Sequence, residues 1–224
     1  MKNMTHMKIK CLFMFFLVVI IIMVAWFLFG RTLHSSPETF VGNTDVRYDK
    51  LMIVAHPDDE LIFGGAQLIG EPGWKVICVT NGSPRSKNWL TLDRTDRRFE
   101  FVTVMHELDC AYEMWDFEDN GLSANWDLPL LLHKLTTIIR EKPYKKIVTH
   151  NLQGEYGHVQ HKKISQLVHY IKPDNLYVFS YDTAKINSHL PRLKLLLRHY
   201  PSQSKAINDH YIYVKHQTVK KVNI

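Results

Sequence analysis

The chain has 224 residues and a formal charge of +6, from 28 Lys and Arg against 22 Asp and Glu. No stripe of basic residues with interleaved aromatics is present, which argues against a nucleic-acid partner. Three cysteines without a Cys-x-x-Cys spacing exclude a disulfide framework and a thiolate zinc site, leaving buried free thiols as the expectation.

Residues 1–10 form a short basic tail, and Cys11 to Phe29 follows as 19 residues without a charge. At 1.5 Å per residue this stretch reaches roughly 28 Å, close to the hydrocarbon thickness of a bilayer. A signal peptide has a shorter apolar region and a small-residue cleavage site. Phe27-Leu28-Phe29-Gly30-Arg31 offers no such site, so the expectation is an uncleaved, single-pass membrane anchor. Lys2, Lys8 and Lys10 precede the stretch while Arg31, Arg47 and Lys50 follow it, so charge asymmetry does not settle which side the rest occupies. Residues 30–48 are polar and aperiodic and read as a tether. Residues 49–224 suit one domain with its own core.

In that domain short apolar runs alternate with helical patterns. Strands are predicted at Leu51–Ala55, Val76–Thr80, Ala111–Phe117, Ile147–His150 and Leu176–Phe179. Helices are predicted at Leu61–Ile69, at Asp93–Leu108 with Phe99, Val102 and Met105 on its buried face, at Leu128–Arg140 and at His158–Ile171. The C-terminal part reads as helical and irregular. This alternation predicts an α/β, Rossmann-like, mostly parallel sheet flanked by helices and preceded by one transmembrane helix. Ligands of such sheets bind beyond the carboxyl ends of the strands. Three polar segments fall there: His56–Glu60, Asn81–Arg85 and His150–His161.

His56-Pro57-Asp58-Asp59-Glu60 exceeds what a strand-to-helix turn needs, since one Asp would cap the helix. Gly154-Glu155-Tyr156-Gly157-His158-Val159-Gln160-His161 sets two histidines three apart at a helix start, able to project to one side. A catalytic zinc takes about three protein ligands and one open position. His56, Asp59 and one of the two histidines would make that set. A G-x-G-x-x-G nucleotide fingerprint is missing after the first strand.

These two motifs resemble those of the PIG-L (LmbE-like) zinc-dependent de-N-acetylases, over roughly residues 49–215. The resemblance takes in Thr80-Asn81-Gly82, the Arg97-x-x-Glu100 pair and Ser202-Gln203. It implies that His56, Asp59 and His161 bind Zn2+, with another divalent metal as the alternative, that Asp58 is the general base and that His158 assists as an electrophilic or proton-donating histidine. Glu60 would cap the helix or orient a neighbour, and His150 is either a supporting hydrogen bonder or a plain strand-end residue. Arg85 and Arg97 are candidate contacts to a phosphate or phosphoinositol, alongside Arg94, with helix-surface ion pairs as the alternative. Trp89 and Trp115 are candidates to stack on a sugar ring or to pack.

The implied activity is removal of acetyl from an N-acetylglucosaminyl substrate, favouring N-acetylglucosaminyl-phosphatidylinositol or a related glycolipid. An endoplasmic reticulum membrane is the implied setting if the source is eukaryotic. A soluble or polymeric amino sugar, or a thiol conjugate, is the alternative substrate. A non-catalytic, membrane-tethered sugar-binding module is the alternative of another class, and an intact Asp58 argues against it.

Overall fold

The computed structural model describes residues 39–82, 97–119 and 124–223, with residues 14, 16–21 and 23 as helical positions of a separate N-terminal unit. The expected anchor is not supported. Among the described residues no helix is long and apolar enough to cross a membrane, and residues 11–13, 15, 22 and 24–29 of the predicted stretch lie outside them.

The second unit spans Thr39–Ile224 and is built on a seven-stranded sheet. Its strands are β1 (Phe40–Gly42), β2 (Lys50–Val54), β3 (Trp74–Thr80), β4 (Ala111–Phe117), β5 (Lys146–Thr149), β6 (Leu176–Tyr181) and β7 (Gln217–Lys221). They lie in the order β1-β4-β3-β2-β5-β6-β7. The five central strands are parallel, and β1 and β7 pair antiparallel at the edges. Neither edge strand is legible in the sequence. Phe40–Gly42 falls in the region read as tether, and Gln217–Lys221 is polar at four of its five positions. Both are held by the pairing that a neighbouring strand offers rather than by their own apolar pattern.

The chain moves outward from β2 through β3 to β4, then returns to place β5 against the other side of β2. The strand order therefore reverses between β2 and β5. A crevice opens at the carboxyl ends of the strands at such a point.

Alternate residues of the central strands feed two cores. Met52, Val54, Val76, Cys78 and Val148 face one layer. Leu51, Ile53, Ile77, Val79 and Ile147 face the other. Burial on both sides explains the continuous apolar runs. The second layer receives α4 (Leu128–Ile139) and α5 (Val159–Ile171). The first receives α1 (Asp59–Ile62), α2 (Gly65–Gly70), α3 (Arg98–Glu107), α6 (Leu190–Leu196) and α8 (Tyr211–His216), with α7 (Ser204–Asp209) between the last two. The helix predicted at 61–69 is thus two short ones, broken at Phe63–Gly64.

Helix α3 buries Phe101, Val104 and Met105, and the predicted core residue Phe99 is 78% exposed. Trp115 is fully buried beside Phe117, so it packs and has no face for a sugar. Cys78 and Cys110 are free and buried. Desolvation pushes the Cys110 thiol up to about 12 and the Cys78 thiol well up, so both stay protonated and inert.

Candidate metal centre

The two motifs converge at the reversal point. After β2 the chain turns at Asp58, whose φ of 118° lies in a region that L-residues rarely adopt. Holding a non-glycine residue there costs about 1–3 kcal/mol and is typical of functional turns. After β5, Asn151–Gly157 forms a tight loop with Gly154, Glu155 and Gly157 all at positive φ. That loop delivers His158 as N-cap of α5, with His161 one turn in.

His56 Nδ1 lies 3.1 Å from Asp59 Oδ2 and 3.2 Å from His161 Nε2. His161 Nε2 lies 3.2 Å from the same Asp59 oxygen. Three donors about 2.0–2.1 Å from a tetrahedral ion stand about 3.3 Å apart. The triangle and its two-imidazole, one-carboxylate chemistry therefore fit zinc.

Burial alone would lift the Asp59 carboxyl. The charges and hydrogen bonds of His161 and His56 outweigh it and hold Asp59 well below the usual carboxylate range. In the other direction, burial lowers the His161 pKa, but Asp59 and Glu155 carry it up to about 9.

Two more histidines stand within reach. Ligand atoms of His56, His158 and His161 lie within 4.8 Å of one another, as do those of Asp59, His150 and His161. His150 is nevertheless committed elsewhere. Its Nε2 accepts the Ala55 backbone N–H at 3.0 Å, and its Nδ1 donates to Glu155 Oε2 at 2.9 Å. With its lone pair used, it serves as a support. Glu155 Oε2 also accepts from His161 Nδ1 at 2.7 Å, which turns His161 Nε2 toward the triangle. Burial opposes that carboxylate's charge, yet His150 and His161 bring its pKa down to about 2.

His158 Nδ1 accepts the Gln160 backbone N–H at 3.3 Å, which leaves its proton on Nε2. Burial, with His56 and His161 nearby, lowers its pKa to about 3, so it is neutral. A pocket of about 150 Å³ opens here, lined by His56, Asp58, Asp59, Arg97, His158 and His210 among others.

Asp58 faces this pocket but stands outside the triangle. Desolvation first, and Asp59 second, raise its pKa well above the ordinary carboxylate range, against the pull of Arg97. Arg97 Nη1 lies 3.6 Å from Asp58 Oδ2 and donates to the Pro57 carbonyl at 2.9 Å. Its Nη2 grips Asp119 Oδ2 at 2.6 Å. Arg97 is thus buried and turned inward, its ion-pair partners being Asp58 and Asp119. Any side chain at Gly82 would run into its guanidinium, which ties Thr80-Asn81-Gly82 to the same structure. Arg85, Arg94 and Trp89 lie outside the described residues.

Glu60 accepts from Asp58 N–H at 3.0 Å and from the Tyr200 hydroxyl at 2.6 Å, so it braces the turn. Glu100 receives Ser202 through both its backbone N–H and its hydroxyl, at 3.0 and 2.6 Å, joining α3 to the C-terminal segment. Asp119, Gln160 and Glu155 carry much of the site and were not singled out from sequence. Glu155 and Gln160 stood inside the second motif, and that membership was their one signal.

A fold with its site at a strand-order reversal, and two imidazoles with a carboxylate converging there, defines a class of α/β proteins whose site could hold a metal. A family model described as GlcNAc-PI de-N-acetylase matches residues 51–172, so the chain belongs to the PIG-L family. An uncharacterised protein of Acanthamoeba polyphaga mimivirus is 50% identical over 197 residues, covering 85% of this chain and 88% of that one. Among solved structures, the N,N'-diacetylchitobiose deacetylase of Pyrococcus horikoshii is similar at a TM-score of 0.56 and 14% identity, covering 77% of this chain and 84% of that one. The 4-carboxy-2-hydroxymuconate hydratase GalB of Pseudomonas putida is equally similar, at 0.56 and 16%, covering 79% and 97%. The deacetylase and the hydratase share this fold, so the fold alone does not choose a reaction.

Proposed function

We propose that this chain is a zinc-dependent N-deacetylase acting on an N-acetylglucosaminyl group, with N-acetylglucosaminyl-phosphatidylinositol as the favoured substrate. The observation that carries the reading is Asp58, a buried carboxylate facing the pocket beside the His56–Asp59–His161 triangle without belonging to it. A pure binding module has no use for such a group. His56, Asp59 and His161 would hold the ion. When bound, zinc would polarise the acetamide carbonyl and acidify the attacking water.

The chain's own residues do the rest. Asp58 accepts the proton that water loses. His158, neutral and protonated on Nε2, donates a hydrogen bond to the oxyanion, a contribution of roughly 3–4 kcal/mol for one well-placed donor. Having one proton, committed to that bond, His158 is poorly suited to protonate the leaving nitrogen. Asp58 returns its proton there as the C–N bond breaks, giving acetate and the free amine. Arg97 orients Asp58 and Asp119.

A glycolipid substrate is supported by the family's own description, and a membrane tether through the charge-free stretch at 11–29 is a separate part of the proposal. Resistance of the full chain to alkaline extraction from membranes tests that tether. Acetate release from N-acetylglucosaminyl-phosphatidylinositol, N-acetylglucosamine, a chitooligosaccharide and an N-acetylglucosaminyl thiol conjugate tests the substrate. Release from soluble sugars alone overturns the glycolipid preference, and release from none overturns the deacetylase reading.

A further inference from the structure

We infer that Gln160 is a positioning residue that selects which nitrogen of His56 faces the metal, an inference that rests on the metal-site reading above. Gln160 is fully buried in the first turn of α5. Its Nε2 lies 3.0 Å from the backbone carbonyl of Glu118, and a carbonyl can only accept. The amide nitrogen is therefore the end that faces Glu118. The amide oxygen is turned toward His56 Nε2, at 2.5 Å.

An amide oxygen cannot donate, so the proton between them belongs to His56 Nε2. That leaves the lone pair on Nδ1, the nitrogen that forms the triangle with Asp59 and His161. Asp119 Oδ1 stands 3.7 Å from His56 Nε2, beyond hydrogen-bond range, so the glutamine is the nearer partner. Through its backbone N–H the same residue sets the tautomer of His158.

The two imidazole ligands are thus steered in different ways. His161 presents Nε2 because the Glu155 carboxylate holds its Nδ1–H. His56 presents Nδ1 because a neutral amide holds its Nε2–H. The amide adds no charge to a pocket that already contains Asp58, Asp59 and Asp119. A carboxylate at position 160 would perform the same selection but would bring a fourth negative charge.

Full-chain protein with Gln160→Met, which keeps the bulk but cannot accept the bond, is compared with Gln160→Glu, which can. Zinc affinity is read by chelator competition, and nitrogen NMR of the zinc-loaded wild type reads which His56 nitrogen carries the proton. The expected result is affinity about 10–100-fold weaker in Gln160→Met, a smaller loss in Gln160→Glu, whose carboxylate still accepts from His56 but no longer donates to the Glu118 carbonyl, and His56 bound through Nδ1 with its proton on Nε2. Unchanged affinity in Gln160→Met, or His56 bound through Nε2, overturns the inference. Should Gln160→Met fail to fold, the wild-type spectrum decides alone. Wild-type protein that binds no zinc overturns the metal-site reading itself, a different failure.

Discussion

The Tyr200 hydroxyl donates to Glu60 Oε1 at 2.6 Å, and both side chains are fully buried. The bond joins a segment beyond the family match to the turn that carries Asp58 and Asp59. Glu60 Oε2 accepts the Asp58 N–H at the same time, so the carboxylate links Tyr200 to the strained turn. Tyr200→Phe should cost about 1–3 kcal/mol by leaving a buried oxygen without its donor. Chemical denaturation measures this, and an unchanged midpoint contradicts the bracing role.

Glu60 also makes stability depend on pH. Burial raises its pKa from 4.5 to about 7, partly offset by the Tyr200 hydrogen bond. A carboxyl raised in the fold gives stability that is fully present below the unfolded value and is lost as pH rises through the folded one. In metal-stripped protein, the advantage of wild type over Glu60→Gln should fall between about pH 4.5 and 7, by on the order of 3 kcal/mol. Stability curves that run parallel across that window contradict it.

Arg97 is predicted to tune the base. Its guanidinium opposes the burial and the Asp59 charge that raise the Asp58 pKa. Replacing it with Met should raise that pKa further and move the acid limb of the kcat/KM profile to higher pH. Arg97→Lys should recover part of the shift, because the charge returns without the fork to Asp119. An acid limb that stays in place in Arg97→Met would show that Arg97 does not act on the base.

The backbone at Asp58 predicts a trade between stability and activity. Glycine adopts a φ of 118° without the cost borne there by Asp. Asp58→Gly should therefore melt higher than wild type when both are metal-free, by the equivalent of about 1–3 kcal/mol, while losing activity. A lower melting temperature would mean that the Asp58 side chain contributes more to the fold than its backbone strain costs.

The sheet was legible because burial on both faces writes continuous apolar runs such as Leu51–Ala55 and Val76–Val79. The convergence of His56–Glu60 and His158–His161 was legible because both follow parallel strands. The strand order itself was not, yet it is what sets β5 beside β2. Contacts set by tertiary packing left no local trace. Tyr200 meets Glu60 across 140 residues, and Gln160 meets His56 across 104. Arg97 reads as a candidate phosphate contact or a helix-surface ion pair and becomes an internal clamp only once Asp119 is brought to it. Phe99 misled because helical spacing marks a face without saying which face is covered.

The most direct test of the central claim is acetate release during zinc titration of chelator-stripped full-chain protein, with Asp58→Asn alongside. Activity should rise with zinc and saturate at one equivalent. Asp58→Asn should bind the same single zinc yet release acetate about 10²–10⁴-fold more slowly. Release that survives chelation, or an Asp58→Asn variant as active as wild type, would contradict a zinc-dependent deacetylase with Asp58 as its base.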